Sequence, residues 1–263
     1  MKLKIIKNSL FFKSFGIAKS NLGKVGLIVL FDALFLVALF VFRSFGEYSN
    51  NILGVPTAWN DIFVRLLFYF LYFFAVLFLY SFFKYAVLDF IKSLLSKTTF
   101  SFYRIGKFYL LNIFIAVIYF IFFLLINIIL SGIKEESKIF IFFVLAVPFF
   151  LFLYAAINVF HSLFYEGVSI KDTIKKGFGI IFGKIKSYRE TIFALILAAF
   201  ALLAFFYLIG YLVRLTSGNY RLYLALYSYL NKAVQIAATL VFYFVILVNR
   251  ISFYSLAIEF KGK

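Results

Sequence analysis

The 263-residue sequence contains no cysteine, one histidine, two prolines, one methionine and one tryptophan. Without cysteine there is no disulfide, no thiolate metal site and no cysteine nucleophile. A lone His161 leaves a zinc site or a Ser-His-Asp triad without its parts. Acids are scarce too, 10 Asp and Glu against 27 Lys and Arg, and charged residues make up only 14% of the chain. No G-x-x-x-x-G-K-[ST] or G-x-G-x-x-G run supplies a phosphate-cradling loop. No catalytic set, no metal and no cofactor is therefore expected, and the chain reads as a non-enzyme.

What is present is apolar: 65% hydrophobic residues, 42 Phe and 19 Tyr, with a mean hydropathy of +1.06. Soluble proteins use roughly 45–50% apolar residues, and a domain of this size cannot bury so large an excess in a core. Lipid must cover the remainder. The formal net charge of +17 could suggest nucleic acid, but that requires a soluble basic face. Here the bases lie between apolar stretches, where an anionic leaflet attracts each juxtamembrane Lys or Arg by about 1 kcal/mol. The expected partners are membrane lipids with anionic headgroups, not nucleic acid.

A helix needs about 20 apolar residues to cross a hydrocarbon core of roughly 30 Å. Six stretches qualify: Val25–Phe42, Leu66–Phe83, Phe108–Leu130, Ile139–Phe160, Thr191–Val213 and Ala233–Val248, the last extended to about residue 256. They are continuous, whereas barrel strands would alternate. The fold class predicted is an all-α polytopic bundle of six transmembrane helices forming a single integral membrane domain. The basic segment before the first span lacks an Ala-x-Ala-like site after it, so that span is expected to be an uncleaved helix.

Twenty of the 27 basic residues fall on one side of these spans. Positive segments resist translocation, so the N-terminus, the second and fourth loops and the C-terminus are expected in the cytoplasm, with the chain in the cell membrane. Each cytoplasmic segment is basic and Phe-rich and feeds an odd-numbered span, a plan seen three times. Three hairpin repeats and biased composition both account for the likeness.

The clearest cytoplasmic element is Ile170–Lys186. Ile170, Ile174, Phe178, Ile181 and Ile185 recur at helical spacing, predicting an amphipathic interfacial helix that turns its bases toward anionic headgroups. Lys171, Lys175, Lys176, Lys184, Lys186 and Arg189 are the candidate headgroup-binding residues. Gly177, Gly179 and Gly183 are expected to weaken this helix. The second span is predicted to continue past the bilayer through Leu88, Ile91 and Leu95. On the outer side, Arg43–Asp61 reads as a non-helical turn around Gly54 and Pro56, and Tyr220–Lys232 as an interfacial helix leading into the last span.

Asp32 is the sharpest single signal, because an ionised carboxylate near the centre of a span costs several kcal/mol. With no second intramembrane acid and no matching base, the preferred reading is structural, with Asp32 protonated by burial or paired to a polar partner in another helix such as Asn112, Asn158 or Gln235. The four residues together form the candidate intramembrane polar site. His161 and Glu166, like Lys84, Asp89 and Arg250, read as boundary residues reaching toward headgroups. Pro148 should kink the fourth span.

The stretch Glu166-Gly167-Val168-Ser169-Ile170-Lys171-Asp172-Thr173-Ile174-Lys175-Lys176-Gly177-Phe178 resembles the cytoplasmic connection in a broad group of poorly characterised prokaryotic multi-pass membrane proteins. That group is similar to the membrane domain attached to some glycerophosphodiester phosphodiesterases. The resemblance implies architecture rather than activity, because the phosphodiesterase chemistry belongs to a soluble barrel domain for which this chain has no room. Mitochondrial carriers, also six-helix proteins, need a P-x-[DE]-x-x-[KR] motif at each odd span, which two prolines cannot supply.

Two functional readings follow. The first is a non-enzymatic membrane protein that organises lipids or docks partners through its basic cytoplasmic face. The alternative is a small transporter or lipid translocator with a polar cavity near Asp32.

Overall fold

The computed structural model describes residues 9–56, 58–96, 98, 102–216, 218 and 220–261. The described residues form eight α-helices and one 3-10 turn, without strands. They are α1 (Leu10–Ser20), α2 (Leu22–Leu53), α3 (Trp59–Leu95), the turn Phe102–Arg104, α4 (Ile105–Ser131), α5 (Glu135–Tyr165), α6 (Ile170–Gly183), α7 (Ile185–Thr216) and α8 (Tyr220–Lys261).

Six of them, α2, α3, α4, α5, α7 and α8, are long and apolar enough to cross a membrane. Even α4, with 27 residues, is about 40 Å long at 1.5 Å per residue, more than the roughly 30 Å hydrocarbon core. The helices pair as antiparallel hairpins α2/α3, α4/α5 and α7/α8, and α5 joins the hairpins by packing on α8. Short α1 lies across one end, against α7 and α8.

Burial is concentrated at that end. Ile28, Val87, Ile91, Phe108, Val159, Phe160, Leu163, Phe164, Val248, Ile251 and Tyr254 are all sealed there. The opposite halves expose Phe40, Phe63, Ile128, Phe140, Leu203 and Leu240. Lipid solvates such side chains as well as a neighbouring helix does, so apolar contact alone does not draw the outer halves together. Packing is tight where polar groups and large aromatics interlock.

Three local expectations change. The predicted helix Ile170–Lys186 stops at Gly183, and Lys184 leaves helical geometry (φ −124, ψ 26). Ile185 consequently starts α7 and is exposed instead of extending the apolar face of α6. That face, with Thr173, Ile180 and Ile181 buried, packs on α5 rather than on lipid. Gly177 permits the contact, since a Cβ there would stand 2.3 Å from the Phe160 ring. Its absent side chain is thus a packing requirement, not merely a weakness of the helix.

Outside, α2 runs on to Leu53, helped by the Arg43–Glu47 pair at 2.8 Å one turn apart. The turn shrinks to the few residues around Gly54, whose φ of 60 suits glycine. Tyr220–Lys232 is not a separate interfacial helix but the first part of the 42-residue α8. Pro148 lies inside α5, which continues as helix on both sides of it.

Candidate functional site

Three sets of polar residues tie the tightly packed end together. The first surrounds Asp32. Its Oδ2 accepts from Arg250 Nη1 at 2.5 Å and from the Tyr243 hydroxyl at 2.7 Å. Tyr243 and Arg250 are seven apart, two turns along one face of α8. Side-chain exposure is 17% for Asp32 and 19% for Arg250, so the pair is largely withdrawn from solvent. Lys84 on α3 is buried and lies within electrostatic range of both.

The expectation that Asp32 has no matching base is therefore overturned: Arg250 is that base. Arg250 lies eleven residues before Lys261, the last residue of α8, which places it about 16 Å inside the helix rather than at its end.

The second set joins α3, α4 and α5. Asn112 Nδ2 donates to Ser81 Oγ at 2.9 Å, and Asn112 Oδ1 lies 2.7 Å from His161 Nε2. Because an amide oxygen only accepts, Nε2 carries the proton, and His161 Nδ1 is buried without a partner among the described residues. The imidazole sits 4.8 Å from the Phe108 ring and 6.3 Å from that of Tyr80, centroid to centroid. His161 is an interior strut and not a boundary residue.

The third set lies where α5 ends. Glu166 accepts from the Tyr254 hydroxyl at 2.7 Å and stands 3.1 Å from Lys92 Nζ. Asp89, also buried, accepts from the Tyr165 hydroxyl at 2.6 Å. The chain then turns through Gly167 (φ 96). Val168 N–H reaches Leu163 C=O at 3.2 Å and Gly167 N–H reaches Phe164 C=O at 3.0 Å, the two bonds of a glycine-terminated helix end.

Arg104 completes this end by donating to Phe164 C=O at 2.9 Å and Val168 C=O at 2.8 Å, with its guanidinium 4.2 Å from the Phe164 ring centroid. A cation there adds a second donor to the Phe164 carbonyl, holds the Val168 carbonyl and complements the negative end of the helix dipole. Ser169 caps the next helix, its Oγ accepting from Asp172 N–H at 3.2 Å. Glu166, Lys84 and Asp89, expected at the headgroup boundary, are instead interior.

The four residues of the predicted intramembrane site do not converge. Asp32 goes to Arg250 and Tyr243, and Asn112 to Ser81 and His161. Asn158 Nδ2 donates to Tyr154 C=O of its own helix at 2.8 Å. Gln235 is exposed on α8, in a cleft shared with Lys232 and Thr239. The predicted headgroup-binding bases lie close together along the chain on exposed surface. Lys171, Lys175 and Lys176 are on α6, Lys184 on the junction, and Lys186 and Arg189 on the start of α7. Lys184 Nζ is 5.4 Å from the Phe260 ring centroid. Among the described residues, no group of three His, Cys, Asp or Glu is placed to hold a metal ion.

Six spanning-length apolar helices, fastened at one end by partly buried ion pairs and carrying a basic rim, define a multi-pass α-helical integral membrane protein. No protein-family model, no curated protein and no solved structure gives a significant match to the chain.

Proposed function

We propose that this protein is a non-enzymatic membrane organiser whose basic end faces the cytoplasm of the cell membrane and gathers anionic phospholipid headgroups. One observation carries this reading: the bases of α6 and the start of α7 are exposed while the helix that bears them is fixed from behind by the Gly177–Phe160 contact. Since the apolar face of α6 is occupied by protein, Lys171 and Lys175 are held outward. Phe182 and Ile185 are exposed beside Lys184 and Lys186, the mixture of apolar and cationic surface suited to a membrane interface. Clustered juxtamembrane bases attract anionic lipid additively, at about 1 kcal/mol each near the surface. The translocation reading lacks comparable support, because its four polar residues point to four separate environments.

Spin-labelled lipids test this reading. Reconstituted protein should immobilise an anionic phospholipid more than a phosphocholine lipid, and the preference should shrink as salt rises. Equal immobilisation of the two at low salt would remove the basis of the proposal.

A further inference from the structure

We infer that the groove between α1 and α7 is a binding site for a phospholipid with a primary ammonium headgroup, of the ethanolamine type. The groove has a volume of about 880 Å³ and a floor reaching Val245 of α8. Its walls are apolar, with Phe11 and Phe12 on one side and Ile192, Phe193 and Leu197 on the other. Ala194, Ala198 and Ala201, at spacings of four and three, face it from α7 and leave the room.

Among the described residues, the charged members of the lining are Arg189 and Glu190, accompanied by Ser9. Both charges lie in the opening turns of α7, which begins at Ile185, so they mark the groove's mouth at the basic end. From Glu190 to Ala201 the helix rises about 17 Å, close to one leaflet of a roughly 30 Å hydrocarbon core. An acyl chain therefore matches the groove in polarity and in depth.

The mouth selects the headgroup. Among the described residues neither Arg189 nor Glu190 forms an ion pair, although they carry opposite charges at one opening. A guanidinium pairs with a phosphate through parallel N–H bonds. The neighbouring carboxylate then meets whatever follows the phosphate. A primary ammonium donates N–H bonds to it and offsets its charge; a trimethylammonium has no N–H to donate; the uncharged glycerol of phosphatidylglycerol brings no cation to offset it. The inference is distinct from the anionic preference proposed for the lysines of α6 and its junction with α7: it shares only Arg189 with that set and concerns a lipid without net charge.

The test is native mass spectrometry of the full chain in detergent, titrated separately with phosphatidylethanolamine, phosphatidylcholine and phosphatidylglycerol of the same acyl chains. Ethanolamine lipid should bind about two- to fivefold better than choline lipid, the scale of one partly exposed charge pair. Glu190→Ala, which removes the acceptor as well as the charge, should abolish that difference while leaving the melting temperature in detergent unchanged. Ala198→Phe, which fills the groove, should reduce binding of both lipids. Equal binding of ethanolamine and choline lipid to the wild-type chain overturns the inference. So does a preference for phosphatidylglycerol over the ethanolamine lipid, or an ethanolamine preference that survives Glu190→Ala. The last readout stands even where Ala198→Phe fails to fold.

Discussion

Arg250 on the last helix places its Nη1 2.5 Å from Asp32 Oδ2 on the first spanning helix, joining residues 218 positions apart in sequence. The pair connects the opposite ends of the chain through the interior of the bundle, with the Tyr243 hydroxyl as a second donor. Removing one partner leaves a charge without compensation in a poorly solvated site, which costs more than losing the pair as a whole. Asp32→Asn also removes the carboxylate charge that acts on both Arg250 and buried Lys84. Asp32→Asn alone and Arg250→Gln alone should each lower the stability of the purified protein, toward the lower end of about 3–5 kcal/mol because the pair is not fully sealed. The double variant should recover much of the loss. Thermal melts of the three variants check this, and a double variant as unstable as the sum of the singles would show that the two residues act separately.

Gly177 and Gly179 occupy one short helix and should respond oppositely to the same substitution. At Gly179 a Cβ meets nothing within 4 Å, so Gly179→Ala should gain up to about 1 kcal/mol from helix propensity. At Gly177 the same gain is opposed by the Phe160 ring, 2.3 Å from the ideal Cβ position, and overpacking a fixed core costs about 1–3 kcal/mol. Phe160 is buried and cannot swing aside. Gly177→Ala should lower the melting temperature, and adding Phe160→Leu should restore part of it. A higher melting temperature for Gly177→Ala would mean that α6 does not lean on Phe160.

Arg104→Lys, conservative in charge, should be costly. A lysine keeps the cation but loses the planar fork that reaches two carbonyls and lies over Phe164. With a hydrogen bond to a charged group worth about 1.5–3 kcal/mol, a loss of about 1–2 kcal/mol is expected. Gly167→Ala, at φ 96, should cost a similar amount through backbone strain of about 1–3 kcal/mol. Both effects are read as melting temperatures, with Lys171→Gln on the exposed face of α6 as the neutral comparison.

The absence of cysteine allows the orientation to be read from single introduced thiols. Asn51→Cys and Lys171→Cys are both at exposed positions, at opposite ends of the bundle. In intact cells a membrane-impermeant maleimide should label the first, and the second only after permeabilisation. The reverse pattern would place the basic end outside and contradict the proposed contact with the cytoplasmic leaflet.

The six spanning helices were legible because each holds an apolar run long enough to cross a bilayer, a property of local sequence. The side-chain pairings were not, because they depend on which helices are neighbours. Asp32 was recognisable from its depth, yet its partner was hidden: Arg250 follows the last apolar run and looks like a boundary residue until the full length of α8 is known. The i,i+7 spacing of Tyr243 and Arg250 was the available clue. His161 and Glu166 were misread for a related reason, since the helices continue past the apolar runs and bury residues that hydropathy places at the edge. The amphipathic pattern of α6 was correct, but periodicity reports that a face is apolar, not whether lipid or protein covers it. Gly177, opposite a phenylalanine seventeen residues earlier in the chain, decides that in favour of protein.

The most direct measurement is the composition of the lipid that stays with the protein through mild detergent extraction, compared between the wild-type chain and a Lys171→Gln, Lys175→Gln, Lys184→Gln, Lys186→Gln variant. The wild-type chain should retain a larger share of anionic phospholipid than the membrane it came from. The variant should fall back to the membrane's own ratio with an unchanged melting temperature, because these four side chains lie outside the buried network. An identical anionic share in both proteins would contradict a lipid-gathering role for the basic end.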